Sequence, residues 1–189
     1  MLATTRTGPR YEGLKVTREQ YLDLPDDGYK YDVIDGVMHM SPSAFYPHNR
    51  VAVKLARLID DYLEANNLGE TVPETDVLLP DGGDPLRPDI SVLLNESFDK
   101  VYGHIHGAPD IVVEVLSESS RERDLDLDLK ADRYLTTGVK EYWIADPDAH
   151  ALQIWVNDNK RAWQRRQGEA VKSDILAQLR IDQSWIFGK

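Results

Sequence analysis

Residues 110–116 read Asp-Ile-Val-Val-Glu-Val-Leu, the most strongly β-prone run in the chain of 189 residues. Apolar and β-branched residues fill nearly every position, which is typical of a central strand buried on both faces. Glu114 interrupts the run, and burying a carboxylate without a partner costs several kcal/mol. The sequence therefore predicts a metal ion, another cation or an opening to solvent beside Glu114. The alternative is an edge strand on which Glu114 faces water.

Helical and strand patterns alternate on either side of this run. They predict, in chain order, a capped helix from Thr17 to Leu24, a hairpin at Asp35-Gly36, a helix over 51–62 that stops at Gly69, strands over 71–79 and 87–94, a helix over 124–137 that stops at Gly138, and strands over 141–145, 151–156 and 162–166. This order predicts a mixed β-sheet flanked by helices, in the α/β or α+β class.

Length and composition indicate one domain over residues 16–189, after a flexible leader over residues 1–15. No apolar stretch approaches the roughly 20 residues of a membrane-spanning helix. The chain has no cysteine, which excludes disulfides, thiolate nucleophiles and cysteine-bound zinc. We expect a cytoplasmic protein that does not contact membranes.

The chain is acidic, with 22 basic and 33 acidic side chains and a formal net charge of −11. Residues 60–109 alone hold 11 acidic and 2 basic side chains. A protein that binds nucleic acid mainly through counterion release should be basic instead. The surplus can simply solvate the surface, or it can supply carboxylates for a divalent cation.

Two acidic residues are placed where they could share one metal ion. Asp89 lies at the start of the strand that precedes the central one, and consecutive strands often pair. Pairing would bring Asp89 close to Glu114, and two carboxylates suit Mg²⁺, a hard cation that binds phosphate oxygens. Taken alone, an aspartate at this position is more often a turn or cap residue.

Lys130 follows Asp126 by four residues on the helix after the central strand. On a helix surface such a pair contributes only about 0.3 to 0.5 kcal/mol. Beside a metal site, the same ammonium could orient a water molecule and stabilise charge on a phosphoryl group. The chain has neither a P-loop nor a GxSxG motif, which argues against P-loop NTPases and α/β-hydrolase-type serine hydrolases.

Six short segments keep a specific order, namely residues 31–36 (YDVIDG), 41–42 with His48, 87–90 (RPDI), 107–117 (GAPDIVVEVLS), 123–125 with Lys130, and 138–147 (GVKEYWIADP). Together they resemble the Uma2-like proteins (DUF820), a family related to restriction endonucleases with the PD-(D/E)xK nuclease fold. The resemblance implies a restriction-endonuclease-like mixed sheet flanked by helices. It also implies Mg²⁺-dependent endonuclease-like hydrolysis of nucleic acid, with DNA as the expected substrate, and a homodimer.

The resemblance further implies which residues form the site. Asp89 and Glu114 would be the acidic metal ligands, the carbonyl of Val115 would complete the protein ligands, and Mn²⁺ would substitute for Mg²⁺. Lys130 would be the site's lysine, carried on the helix. Related nucleases usually place this lysine two residues after the acid, but that position here is Leu116.

Three further features concern the same implied site. Asp32 stands where family members commonly carry Glu, and its shorter side chain makes it an assisting residue rather than a ligand. His48 matches a histidine near the start of the long helix, although a capping or packing role fits the sequence equally well. The stretch 124–130 is about two residues longer than the family spacing, which predicts that Lys130 lies one turn out of place.

Candidate phosphate contacts are six basic side chains, Arg121, Arg123, Lys160, Arg161, Arg165 and Arg166. Two other functions stay open. A catalytically degenerate interaction or nucleic-acid-binding module is favoured by the negative charge, by Leu116 and by the longer path to Lys130. A divalent-metal hydrolase for a small phosphorylated substrate would need a closed pocket instead of an open groove.

Overall fold

The computed structural model describes residues 8–41, 44–117, 123–159 and 162–188. Its helices are α1 (Arg18–Leu22), α2 (Tyr46–Asn66), a π-helical segment (Leu125–Lys130) that continues into α3 (Ala131–Thr137), and α4 (Gln183–Phe187), with a 3₁₀ segment over Asn95–Lys100. Within these ranges, no helix combines the length and the apolar character needed to cross a bilayer.

The strands of the described residues are β1 (Lys30–Ile34), β2 (Val37–Ser41), β3 (Gly69–Pro73), β4 (Val77–Leu78), β5 (Pro85–Leu86), β6 (Ile90–Leu94), β7 (Val101–Tyr102), β8 (His104–His106), β9 (Ile111–Val115), β10 (Glu141–Asp146), β11 (Ala151–Asn157) and β12 (Trp163–Arg166). These strands form three sheets. The main sheet has the order β12-β11-β10-β9-β6-β3, and β4, β5, β7 and β8 form a smaller one. The predicted mixed sheet with helices is confirmed.

β9 is an interior strand of the main sheet, as its apolar sequence predicts. It pairs in parallel with β10 and antiparallel with β6. The π-helical segment and α3 lie in the connection between the parallel strands β9 and β10, which needs a crossover of this kind. The crossover therefore lies next to the strand that carries Glu114.

Alternate residues of β9 face opposite layers of the fold. Val113 belongs to a core that includes Leu55 and Ile59 of α2, whereas Val112 belongs to a second core that includes Tyr134 of α3. Side chains two residues apart on a strand share a face. Glu114 therefore points toward the π-helical segment and α3, like Val112.

Local signals correctly predict α1 and the hairpin of β1 and β2 that follows it. α1 begins with the predicted capping box, in which Thr17 and Gln20 each accept a backbone hydrogen bond from the other residue. β1 and β2 form the predicted hairpin. Its turn residues Asp35 and Gly36 have φ of 52° and 72°, the positive angles that a type I′ turn requires.

The C-terminal part of the predicted flexible leader, residues 1–15, is paired with the hairpin. The N–H of Gly13 donates to the carbonyl of Met38 on β2, and the N–H of Met38 donates to the carbonyl of Leu14. The prediction is wrong for these residues because backbone pairing with β2 orders them without any hydrophobic periodicity. Residues 1–7 lie outside the described residues, and the single-domain organisation stays a prediction.

The strand predicted over residues 71–79 is divided into two. β3 ends at Pro73, which has no N–H to donate to a ladder, and Glu74 takes a left-handed φ of 45°. The chain turns there, leaves the main sheet and enters the small one as β4. The sequence pattern alone predicts one continuous strand here, because β3 and β4 are both rich in β-prone residues.

The long helix α2 extends beyond both predicted limits. It ends at Asn66 because Asn67 adopts the left-handed conformation, with φ of 52°. Gly69, predicted as the stop, is the first residue of β3 instead. A Cβ at Gly69 would lie 2.0 Å from the carbonyl oxygen of Leu93, so close strand pairing requires glycine here.

Candidate active site

One cavity of about 450 Å³ brings together the five catalytic residues predicted from the sequence. Much of its charged lining comes from β1, the start of α2, the β6–β9 pair and the π-helical segment. The residues concerned are Lys30, Asp32, His48, Asp89, Glu114, Asp126 and Lys130, and the predicted backbone ligand Val115 lines the cavity as well. Segments that are distant in sequence thus converge on one site.

Asp89 and Glu114 are neighbours, as strand pairing predicts. The register places Ile90 opposite Val113, so the preceding Asp89 lies beside Glu114 on the next strand. The backbone N–H of Asp89 donates to Oε2 of Glu114 at 3.3 Å, and the N–H of Val115 donates to Oδ2 of Asp89 at 2.8 Å. Both acidic side chains are buried, so the alternative of a solvent-facing Glu114 is wrong.

Lys130 is buried against three carboxylates. Its Nζ lies 2.9 Å from Oδ2 of Asp32, 3.2 Å from Oε1 of Glu114 and 3.0 Å from Oδ1 of Asp126. Burial alone would lower the pKa of Lys130, but these negative charges raise it above its ordinary value. The Asp126–Lys130 pair is therefore an interior pair around a charged ammonium, rather than a surface pair.

The π-helical segment explains how Lys130 reaches the site despite the longer stretch before it. A π-helix closes its hydrogen bonds from residue i to i+5, so one turn holds more residues than a turn of α-helix. The extra length is thus taken up locally, and both Asp126 and Lys130 line the cavity. The prediction that Lys130 lies one turn out of place is wrong for this reason.

Asp32 binds donors with both of its carboxylate oxygens. Oδ2 contacts Lys130, and Oδ1 accepts the backbone N–H of Arg87 at 2.7 Å. This arrangement places Asp32 where it fixes the ammonium of Lys130. That Asp32 assists the site and is not a metal ligand stays a prediction.

His48 lies in the first turn of α2 and contacts Asp89. Its Nε2 is 3.1 Å from Oδ2 of Asp89. Burial alone would lower the pKa of His48, but the hydrogen bond and the charge of Asp89 raise it. The N-cap position of α2 belongs to Phe45, so the structure places His48 at the acidic site and not at the cap.

Sequence reasoning misses Lys30 and Tyr134. Nζ of Lys30 lies 2.8 Å from Oδ1 of Asp89, and the hydroxyl of Tyr134 donates to Oε1 of Glu114 at 3.2 Å. A signal for Lys30 exists, because residues two apart on a strand share a face and Asp32 is a candidate residue. Tyr134 carries no comparable signal, since its position fits an ordinary core aromatic residue.

The two central acids have opposite pKa shifts. Burial by itself raises the pKa of both carboxyl groups. At Asp89 the positive charges of Lys30 and His48 outweigh burial and hold the pKa well below its usual range. At Glu114 burial outweighs the charge of Lys130, and with the charge of Asp126 it raises the pKa to about 8. Glu114 therefore holds its proton more tightly than Asp89 does.

The donor set fits a hard divalent cation. Four carboxylates, those of Asp32, Asp89, Glu114 and Asp126, face two lysine ammonium groups, so a cation would reduce the excess negative charge. In the described part of the chain, no three Asp, Glu or His side chains form a ready-made metal cage. Mg²⁺ commonly needs only one or two carboxylates and keeps several waters. Asp89 and Glu114 are the residues that would hold such an ion.

The raised pKa of Glu114 predicts that the metal-free protein loses stability at high pH. A carboxyl group with an ordinary pKa of 4.5 and a folded-state pKa of about 8 contributes its full stabilisation below the lower value and loses it as pH rises through the higher one. We expect a loss on the order of 3 kcal/mol in unfolding free energy between about pH 5 and pH 9 from this group. Urea titrations in EDTA measure it.

Glu114→Gln is the control for this pH dependence, because an amide does not titrate. The difference in unfolding free energy between this variant and the wild type should grow in favour of the variant above about pH 7. Equal pH slopes for the two proteins would show that Glu114 ionises in the folded protein much as it does in water.

Of the six basic side chains predicted to contact phosphate, the three that the structure describes do not line the cavity. Arg123 and Arg166 pair with aspartates, and the guanidinium of Arg165 lies 3.9 Å from the ring centre of Trp155. The remaining candidates lie outside the described residues, and these are Arg121, Lys160 and Arg161. Their role in binding phosphate stays a prediction.

Comparisons with known proteins give a matching family model and a solved structure of similar fold. A family model described as "Uma2: Putative restriction endonuclease" matches residues 18–183. The chain is also similar to a crystal structure from Anabaena variabilis ATCC 29413, described as "a putative nuclease belonging to DUF820", with 20% sequence identity and a TM-score of 0.74. The match covers 91% of this chain and 97% of the other, and at this identity it is a likeness of fold. No curated protein matches the chain.

Proposed function

The chain belongs to the Uma2 family, and on this basis we propose that it is a Mg²⁺-dependent endonuclease-like phosphodiesterase that hydrolyses nucleic acid, with DNA as substrate. The observation that carries the proposal is that three groups meet in one cavity. The ammonium of Lys130 contacts the carboxyl group of Glu114, and Glu114 also accepts a hydrogen bond from the backbone N–H of Asp89. Two acids and a lysine at one point are the groups that metal-assisted phosphodiester hydrolysis needs.

Asp89 and Glu114 hold the metal ion in this proposal, with the carbonyl of Val115 as a backbone ligand and Mn²⁺ as a substitute for Mg²⁺. When bound, the ion supplies Lewis-acid stabilisation of phosphate charge and lowers the pKa of a coordinated water. The N–H of Val115 and the imidazole of His48 orient Asp89 by binding its Oδ2. These contacts fix the carboxylate before any ligand arrives.

Lys130 places a positive charge at the inner end of the cavity. Three carboxylates hold it there, so its ammonium can stabilise negative charge that develops on a phosphate oxygen. Asp32 keeps the ammonium in place through a second bond to the backbone of Arg87. We assign Asp32 and His48 as positioning residues of the reaction.

The alternative of a catalytically degenerate module loses one of its sequence arguments. It rests partly on the longer stretch before Lys130, yet this lysine contacts Glu114. The negative net charge still has to be overcome for nucleic acid to bind, and we propose that the divalent ion and the basic residues around β12 do so, in a homodimer. The cytoplasmic location remains a prediction from the sequence.

A cleavage assay with purified protein tests this proposal. Supercoiled plasmid, a single-stranded DNA oligonucleotide and an RNA of the same sequence are incubated with Mg²⁺, with Mn²⁺ or with EDTA. We expect cleavage of DNA that needs the metal and that disappears in Asp89→Asn. The matched control is Asp61→Asn, which removes an exposed acid paired with Arg57 on α2.

Each outcome decides between the possible functions. Cleavage of RNA alone would keep the phosphodiesterase and reject DNA as the substrate. Cleavage that persists in EDTA or in Asp89→Asn would assign the activity to a contaminant. Folded wild-type protein that cuts none of the substrates with either metal would favour the non-catalytic module.

A further inference from the structure

Lys30 differs from Lys130 in how firmly it is held. Lys130 contacts three carboxylates and its side chain is 5% exposed, whereas Lys30 contacts Asp89 and its side chain is 19% exposed. Lys30 lines the cavity at the end of a flexible four-carbon stem. Of the two ammonium groups, it is therefore the one that an incoming ligand can displace.

The hydrogen bonds of Asp89 show where a metal ion and Lys30 would meet. Oδ2 of Asp89 is engaged by the N–H of Val115 at 2.8 Å and by Nε2 of His48 at 3.1 Å. Oδ1 is the oxygen that Lys30 occupies, at 2.8 Å. A divalent ion bound by Asp89 has Oδ1 as its accessible ligand, so it and the ammonium compete for one atom.

We propose that Lys30 is the exchangeable counter-ion of the metal site. In the metal-free protein its ammonium neutralises Asp89, and a divalent cation takes its place on Oδ1. The exchange is favourable because a double charge replaces a single one among four carboxylates. The released ammonium stays tethered to β1 at the cavity, where it pairs with a phosphate oxygen of the substrate. This inference rests on the proposed function and adds a residue to its site.

The test is the affinity of the metal-free protein for Mn²⁺ alone, measured by isothermal titration calorimetry without nucleic acid. Lys30→Met keeps most of the side-chain length but removes the competing charge, and we expect it to bind Mn²⁺ about tenfold more tightly than the wild type. Lys30→Arg keeps the charge and should bind no more tightly than the wild type. Lys30→Gln replaces Lys30→Met if the latter does not fold.

The matched control is Lys140→Met, which changes the net charge equally. Lys140 pairs with Asp110, just before β9 and at the opposite end of that strand from Glu114, and is 56% exposed. Its Mn²⁺ affinity should equal that of the wild type. A gain in this variant as well would assign the effect to overall charge and would overturn the inference.

The remaining outcomes separate the inference from the proposed function. If the wild type binds Mn²⁺ at a site lost in Glu114→Gln, but Lys30→Met binds it equally or more weakly, Lys30 orients Asp89 and the exchange is wrong while the metal site stands. If neither the wild type nor Lys30→Met binds Mn²⁺, both the metal site and the exchange are rejected.

Discussion

Replacing Glu114 by glutamine is expected to lower the rate of metal-dependent cleavage by at least about 10³-fold while the protein stays folded. Loss of a single group that stabilises transition-state charge already costs about 10² to 10³ in kcat. Glu114→Gln removes a proposed metal ligand and also one of the carboxylates that hold Lys130. Initial rates at saturating Mg²⁺, compared at equal concentrations of folded protein, measure the loss.

The stability of this variant should change in the opposite direction to its activity. Lys130 retains Asp32 and Asp126 as partners, and the amide of Gln can still accept from Tyr134. The variant also removes a carboxyl group whose ionisation is costly, since burial raises the pKa of Glu114 to about 8. At about pH 8 in EDTA, we therefore expect a higher melting temperature than that of the wild type.

Glu141 provides the matched comparison, because it is another fully buried glutamate on the neighbouring strand β10. Its carboxylate accepts hydrogen bonds from four groups, at Trp143, Ser173, Asp174 and Ile175. Glu141→Gln turns one accepting oxygen into a donor that faces other donors, and should cost about 2 to 3 kcal/mol. Its folded fraction should keep full activity.

The two variants separate a functional carboxylate from a structural one. A stable but inactive Glu114→Gln, beside an unstable but active Glu141→Gln, is the expected pattern. If Glu114→Gln were as destabilised as Glu141→Gln and equally active, Glu114 would be a structural residue and the proposed metal site would be wrong.

Local signals suffice for the parts of the fold that depend on neighbouring residues. The β1–β2 hairpin depends on two turn residues, Asp35 and Gly36, and β9 depends on an apolar, β-branched run that Glu114 alone interrupts. The adjacency of Asp89 and Glu114 also follows, because it needs only that β6 pairs with β9, the next strand of the main sheet along the chain.

The parts that fail depend on tertiary contacts. A π-helical turn has no distinctive periodicity in six residues, so the register of Lys130 cannot be derived from its spacing to Glu114. Asp126 has the spacing of a surface ion pair and becomes buried only because the segment packs over β9. Gly13 and Leu14 are ordered by the free edge of β2, a partner that their own sequence does not indicate.

Lys30 lies between these two cases. Strand alternation gives its face, two residues before Asp32, but not the distance to Asp89, which comes from a segment 59 residues later. Its function could be considered only after the structure places an ammonium beside a candidate metal ligand. Strand alternation and the charge pattern therefore predict which strand face carries the site. Which residues of distant segments meet there depends on tertiary packing.

Replacing Lys130 by methionine is expected to destabilise the protein by about 3 to 5 kcal/mol at neutral pH, the usual cost of removing one partner from a buried ion pair. The variant leaves the carboxyl groups of Asp32, Glu114 and Asp126 buried without their shared ammonium. The pKa values of Glu114 and Asp126 should rise further, because burial then acts without that opposing charge. Urea unfolding at about pH 5 and pH 8 measures the cost at each pH.

The sign of the pH dependence distinguishes this cause from a simple loss of packing. Acids whose pKa values are raised in the folded state favour folding at low pH and oppose it as pH rises, so the penalty of Lys130→Met should be small near pH 5 and large near pH 8. Adding Asp32→Asn removes one of the stranded charges and should restore part of the stability at pH 8 without restoring cleavage. A penalty that is equal at both pH values and unchanged in the double variant would mean that Lys130 acts through its packing alone. Recovery of stability without recovery of cleavage would separate the structural role of the Lys130 ammonium from its role in the reaction. For stability, the buried carboxylates require only that their charge be balanced. The proposed reaction additionally requires a positive charge at this point of the cavity.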